Sequence, residues 1–463
     1  MTARFVAWSI LRDVDVNDAY ANLVTPQELR SARLSTPDAA FVTELVYGTL
    51  RMRGLYDVII AHAARRDINE IDAEIRDVLR LACHQWMALH TPAHATVSES
   101  VNLAREARLS RGAGFVNAVV RRMTERPTDE WLAIAAPSSL PSRDRLEILT
   151  SHPAWIIDAC AEALTASNRG FELEDFLRAD NLAPKVSLID LAAIAAGEVS
   201  SAVRSDAVTA LIEGACEPDS RTPFSWSLRS GDPEILMRAS GGLMRVQDVG
   251  SQIAVLAFVA ARDVRPTERW LDMCAGPGGK AALLAACAQH NGAVVTANEV
   301  SDHRAGLVRQ ALAPFPDVTV TTRDGRSFGT EGEVFDRIIV DAPCSGLGAL
   351  RRRPEARWRK KFADIAELVS LQKELLEAAC GALAPGGLIA YVTCTPTIAE
   401  TLNVIETVFG QRTDFVPIDV RPLVERVTQH AVTPKGDSST VQLWPHSDGT
   451  DAMFISIFEH VSR

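Results

Sequence analysis

Two cysteines, Cys344 and Cys394, stand in polar settings that the other six lack: Asp341-Ala-Pro-Cys344-Ser-Gly346 and Thr393-Cys394-Thr-Pro396. No Cys-x-x-Cys pair occurs among Cys83, Cys160, Cys216, Cys274, Cys287, Cys344, Cys380 and Cys394, so neither a zinc site nor a disulfide framework is indicated. Most of the remaining cysteines read as small core hydrophobes. A glycine-rich stretch, Asp272-Met-Cys-Ala-Gly-Pro-Gly-Gly-Lys280, lies upstream. It is not a Walker A loop, which would need Gly at 274 and Ser or Thr at 281 where this chain has Cys274 and Ala281. Nor is it GxGxxG, since the glycines fall at 276, 278 and 279. What remains is a tight turn opening a helix, whose free N–H groups favour a phosphate or a carboxylate.

These clusters need elements to position them. From about residue 268, short apolar runs alternate with amphipathic stretches. Strands are predicted at 269–273, 293–299, 318–322, 337–342 and 388–394, and helices at 280–290, 302–313, 362–384 and 399–409. Such alternation implies a largely parallel sheet covered on both faces. The polar clusters, with Asn298-Glu299 and Asp324-Gly325, all follow strand carboxyl ends, where open α/β sheets bind ligands. The glycine turn suits an amino-acid carboxylate, Glu299 is placed to accept two ribose hydroxyls, and Asp324 an adenine amino group. Together they describe S-adenosylmethionine.

Two strand-end cysteines in one cleft suggest the methyl acceptor. Cytosine C5 is a poor nucleophile, and a thiolate adding at C6 makes it electron-rich enough to take a methyl group. A base then removes the C5 proton and the thiolate leaves. Asp341 is placed to bond N3 and the exocyclic amine, with Lys280 stabilising charge nearby. The run Arg351-Arg-Arg-Pro-Glu-Ala-Arg-Trp-Arg-Lys-Lys361 follows the Cys344 loop, so Arg351, Arg352, Arg353, Arg357 and Trp358 are candidate RNA contacts.

The chain has 463 residues, 47% hydrophobic and 23% charged, with net charge −11, which excludes a disordered, collagen-like or small disulfide-rich protein. No apolar run reaches the roughly 18 residues of a membrane span, and the amino terminus lacks a signal-peptide pattern, so a cytoplasmic location is expected. Residues 1–125 read as helical throughout. His84, His90 and His94 lie close together without a well-spaced carboxylate or Cys, and are read as packing and surface residues rather than metal ligands. The Pro/Ser-rich 126–149 is expected to be a linker, 150–245 a small α+β region, and 246–463 the catalytic domain.

Residues 246–461 resemble the Nop/Sun family of RNA (cytosine-5) methyltransferases, on DAPCSGLGALRRRPEARW, VQDVGSQ (246–252), CAGPGGK and the Thr-Cys motif at 393–394. The resemblance implies a Rossmann-like methyltransferase fold. It places cofactor binding on Cys274, Ala275, Gly276, Pro277, Gly278, Gly279, Lys280, Glu299, Arg304, Asp324 and Asp341. Cys394 would be the nucleophile and Cys344 would assist product release. FVTELVYGTLR (41–51), residues 79–105 and FVNAVVRR (115–122) are similar to the NusB-like helical RNA-binding domain. That combination resembles the bacterial Sun-type branch of the family, which acts on small-subunit ribosomal RNA. A monomer without metal is then expected. Transfer RNA as substrate, and a non-catalytic RNA-binding or assembly factor, are the alternatives. The chain departs from the family where Ser-…-Glu-Glu-Asn usually follows the second cysteine: it has Thr395-Pro396 and then Ala399-Glu400-Thr401.

Overall fold

Apolar residues three and four apart drive the amino-terminal helices, and short polar residues start them. Thr2 accepts a hydrogen bond from the Phe5 N–H at the head of Ala3–Val16, and Ser35 accepts from Asp38 N–H at the head of Thr36–Arg51. Helices Arg53–Ala64, Ala73–Met87, Ala93–Glu106 and Ala113–Thr124 follow. Their buried faces share a core that includes Ile10, Leu45, Ile60, Leu79 and Val116. His84 is buried in it, bonded to Tyr56 Oη at 2.9 Å.

This computed structural model describes residues 1–198, 204–330, 332–434 and 439–461. The chain forms two units, one of Met1–Asp158, Glu172–Pro184 and Leu350–Lys360, the other of Ala159–Phe171, Lys185–Ala349 and Lys361–Arg463. The linker expected at 126–149 is not one. Thr128–Ala135 and Ser142–Thr150 are helices of the first unit, and Trp131 is buried in its core with Nε1–H donating to Met123 O at 2.7 Å. The prolines that suggest a linker, Pro127 and Pro141, sit at the starts of these helices, where a missing N–H costs nothing.

In the second unit, strands β1 (Ser187–Asp190), β2 (Cys216–Pro218), β3 (Ser225–Leu228) and β4 (Met244–Val246) pair as an antiparallel sheet in the order β2-β3-β1-β4. The larger sheet contains β5 (Arg269–Asp272), β6 (Val294–Asn298), β7 (Thr319–Thr321), β8 (Phe335–Asp341), β9 (Leu383–Thr393), β10 (Phe415–Pro417), β11 (Thr440–Gln442) and β12 (Phe454–His460). Its order is β10-β12-β9-β8-β5-β6-β7, with β11 on β12. β5 to β9 are mutually parallel, and β10, β11 and β12 run antiparallel to their neighbours. Successive side chains alternate between two buried faces. Trp270, Ile339, Ala390 and Val392 meet helices Val249–Ala260 and Gly279–Asn291, while Leu271, Ile338, Val340 and Tyr391 meet Asp364–Gly381 and Leu402–Phe409. Strand order reverses at β5, so the crevice opens beside the carboxyl ends of β5 and β8.

Candidate active site

The glycine turn after β5 is held by its neighbours' backbones. Met273 N–H donates to Ile339 O of β8 at 3.0 Å, and Ala275 N–H to Asn298 O of β6 at 2.7 Å. Asn298 itself joins three strand ends: its Nδ2 donates to Met273 O and Arg323 O at 3.1 and 3.0 Å, and its Oδ1 accepts from Thr321 Oγ1 at 2.9 Å. Gly278 takes φ of 106°, a conformation that suits glycine. A Cβ on Gly276 would collide with Glu299 Oε2, which accepts from the Gly276 N–H at 3.1 Å. Ser301 N–H donates to Glu299 Oε1 at 3.0 Å, and Arg304 Nη2 donates to Gly276 O at 2.6 Å. Glu299 and Arg304 thus shape the turn. Asp324, half-exposed beyond β7, is gripped by Arg326 from Nε and Nη2.

At β8, Lys280 Nζ donates to Asp341 Oδ2 at 2.9 Å. Burial works against the Lys280 ammonium, but Asp341, Cys394 and Asp272 outweigh it and hold its pKa above the ordinary value. Asp272, fully buried, is pushed up to about 8 by burial and then by the negative charge of Asp341. Burial, then the charges of Asp272, Asp341 and Glu299, push the Cys274 thiol well up.

The two predicted cysteines meet. Cys344 Sγ lies 3.4 Å from Cys394 Sγ, and both are half-buried. Their hydrogen bond, then burial, then the charges of Cys394 and Glu400 hold the Cys344 thiol well above the usual range, and either sulfur of the pair can be the donor. Their loops are pinned together where Gly348 N–H donates to Cys394 O at 2.8 Å and Ala452 N–H donates to Gly348 O at 2.9 Å. A Cβ on Gly348 would strike Ala452 O.

Four supporting residues fall outside the predicted site: Asn298, Gly348, Gln372 and Glu400. Glu400 Oε1 accepts from Ser345 N–H at 2.7 Å and from Gln372 Nε2 at 3.1 Å. Its Oε2 accepts from Ser345, Thr395 and Thr397 hydroxyls at 2.6, 3.2 and 2.8 Å. Glu400, Asn298 and Gly348 carry a sequence signal, the first in the motif after Cys394, the second beside Glu299 and the third in the motif around Cys344, whereas Gln372 has none.

The basic run corrects an expectation. Leu350–Lys360 folds with the helical unit. Arg357 is 0% exposed. Its Nη1 donates to Arg51 O at 2.9 Å and Asn181 Oδ1 at 2.7 Å, and its Nη2 to Asp180 O at 2.9 Å. Arg51 and Asp180 end the helices Thr36–Arg51 and Leu173–Ala179, so the guanidinium satisfies carbonyls left unpaired there. Arg351 is also buried, its carbonyl taken by Arg51 Nε and Nη2 at 3.2 and 3.0 Å. The Arg357 guanidinium is thus taken up by carbonyl oxygens of the helical unit, and Arg351 is buried within the same unit. Trp358 is half-buried against Gly54, with the Arg53 guanidinium 5.9 Å from its ring centre. Arg352 is half-buried, and Arg353 is exposed, its guanidinium 5.6 Å from the Tyr20 ring centre.

A parallel sheet with a glycine turn after its first strand, acidic residues at the next strand ends and an antiparallel edge defines a Rossmann-like methyltransferase. A family model described as 16S rRNA methyltransferase RsmB/F matches residues 259–459, and one for the NusB family matches residues 1–125. A Mycobacterium tuberculosis protein bearing a provisional methyltransferase name is 42% identical over 462 residues, covering 99% of this chain and 97% of that one. The ribosomal RNA small subunit methyltransferase B of Xanthomonas campestris is 31% identical, covering 81% and 80%. The crystal structure of a methyltransferase homologue from Pyrococcus horikoshii, 22% identical, shares the fold with a TM-score of 0.53 over 70% of this chain and 100% of that one. The chain belongs to the RsmB/F family of methyltransferases, with a NusB domain at its amino terminus. No helix among the described residues is long and apolar enough to cross a membrane.

Proposed function

We propose that this protein transfers the methyl group of S-adenosylmethionine to C5 of a cytosine in 16S ribosomal RNA, through a covalent bond between Cys394 Sγ and C6. The observation that carries the reading is the approach of Cys344 and Cys394 to 3.4 Å at the ends of adjacent parallel strands, with the Lys280–Asp341 pair at the same sheet edge. The RsmB/F match and the small-subunit methyltransferase name of the Xanthomonas relative support the substrate.

The residues present fit the cofactor. The N-terminus of Gly279–Asn291 offers N–H groups to a carboxylate, Glu299 and Asp324 stand at successive strand ends for ribose and adenine, and the lack of a side chain on Gly276 lets Glu299 and Arg304 close on the turn. When bound, S-adenosylmethionine supplies an electrophilic methyl group. The remaining work falls to this chain. Cys394 attacks C6 as a thiolate, and Lys280 with Asp341 bonds N3 and the exocyclic amine, stabilising charge that develops in the ring. Once C5 has gained its methyl group, a base takes the C5 proton, the electron pair left behind re-forms the C5–C6 double bond, and the C6–S bond breaks to release Cys394 as a thiolate, a departure that Cys344 assists. Arg353, with its exposed side chain, is the best placed of the basic run to meet phosphate.

Two substitutions test the assignment. Cys394→Ala is expected to abolish methyl transfer while S-adenosylmethionine binding persists in calorimetry, and full turnover would overturn it. Cys344→Ala is expected to leave RNA covalently attached through Cys394, seen as a retarded band on denaturing gels. Bisulfite mapping of ribosomal and transfer RNA with and without the protein identifies the substrate, and a new mark confined to transfer RNA would reject 16S RNA.

A further inference from the structure

We propose that Glu400 is a positioning residue for the reaction: its carboxylate ties the loop of Cys344 to the loop of Cys394 and so sets the distance between the two sulfurs. The inference rests on the catalytic use of both thiols proposed above.

Glu400 is 0% exposed, and its carboxylate receives five hydrogen bonds, all from uncharged donors. No cation pairs with it among the described ion pairs, so a buried anion is held by its neighbours' N–H and O–H groups alone. The donors are not scattered. Ser345 follows Cys344 and gives both its N–H and its hydroxyl; Thr395 follows Cys394, and Thr397 stands two residues further on. Ser345 and Thr395 hydroxyls also meet each other at 3.0 Å. Gln372 Nε2, from Asp364–Gly381, donates both to Glu400 Oε1 and to Pro343 O at 2.8 Å, so the residues on either side of Cys344 reach the same carboxylate. Tyr391 Oη donates to Glu400 O at 2.7 Å and anchors its backbone to β9. One side chain that touches neither sulfur thus braces the two loops that carry them.

The pattern of donors decides which substitution is conservative. Oε1 receives a backbone N–H, which cannot reverse, and the Gln372 amide N–H, which its second bond to Pro343 O holds in that orientation. Oε2 receives three hydroxyls, which can turn to accept. Glutamine therefore fits in one orientation, carbonyl at Oε1 and amide nitrogen at Oε2, its two N–H groups reaching Ser345 and Thr397 while the Thr395 hydroxyl keeps its contacts with those same two side chains. Alanine leaves the Ser345 N–H buried without its acceptor.

The test reads the sulfur–sulfur distance directly. Diamide oxidises a close thiol pair to a disulfide, taking up the two protons and two electrons it loses and becoming the hydrazine. In the full-length protein the 344–394 crosslink, quantified by mass spectrometry, is expected to form at least about tenfold more slowly in Glu400→Ala. Single-turnover methyl transfer to 16S RNA should fall about 10²-fold, as for a misplacement on the order of 1 Å, with KM for RNA little changed. Glu400→Gln should restore both to within about fivefold of the unsubstituted chain. If Glu400→Ala does not fold, Thr397→Val removes one bond at little cost in volume and should slow both readouts by about threefold. Wild-type crosslinking in either folded variant overturns the positioning role. Slow crosslinking with undiminished methyl transfer overturns instead the catalytic use of the paired sulfurs, and with it Glu400's part in the reaction.

Discussion

At the scale of single residues, the active site depends on small groups where backbones nearly touch. Gly348 is the clearest case, because its N–H and C=O bond Cys394 and Ala452 on two other segments and leave no space for a side chain. Gly348→Ala should displace the Cys344 loop and lower single-turnover methyl transfer by about 10²-fold while far-ultraviolet circular dichroism stays unchanged. An unaltered rate would show that the loop tolerates the shift. The positions of the proposed site residues were legible from the sequence, and they form two close pairs, Lys280 with Asp341 and Cys344 with Cys394. The bracing residues were less so. Gln372 lies in a helix 28 residues before Glu400 and has no local feature that marks it.

At the scale of elements, buried arginines recur where helices end. In the catalytic unit Arg337 donates to Val259 O at 2.9 Å and Arg262 O at 2.7 Å, closing the end of Val249–Ala260, while its Nε meets Glu268 Oε2 at 2.7 Å. Burial works against the Glu268 carboxylate, but bonds from Trp270 and Arg337 prevail and bring its pKa down to about 2 from 4.5. A lowered carboxyl pKa stabilises the fold fully above about pH 4.5, and the contribution is lost as pH falls towards 2. Glu268→Ala, which strands a buried guanidinium, should cost about 3–5 kcal/mol in urea unfolding at pH 7 and flatten the acid side of the stability profile. Equal stability at pH 7 would deny the pair that role. Four of the five parallel strands were readable as apolar runs because both their faces are largely buried, whereas β7 is a Thr-Val-Thr edge strand with no fully buried residue. β10 and the small sheet of β1 to β4 were not, being three or four residues long with little room for a period to show.

At the scale of the whole molecule, the division of the chain differs from a simple series of domains. The run at 351–361 read as a phosphate-binding patch because a guanidinium looks the same in sequence whether phosphate or carbonyl oxygen awaits it. The oxygens that receive Arg357 belong to residues 51 and 180, far along the chain, and no local pattern could reveal them. Arg357→Ala should therefore destabilise the helical unit by about 2–4 kcal/mol, whereas Arg353→Ala should leave its melting unchanged and weaken RNA binding in a salt-dependent way. Equal melting of the two variants would return Arg357 to the list of RNA contacts.

The same insertion governs the order in which a nascent chain can finish its parts. The amino-terminal helices leave the ribosome first, but the segment that fills their carbonyl sites is made some two hundred residues later, after most of the sheet strands. A cut near residue 158 separates the amino-terminal helices from Leu350–Lys360, which belongs to the same unit. Gene fusions that cut near residue 158 should consequently yield insoluble fragments, and co-expression of both fragments would be the way to recover them.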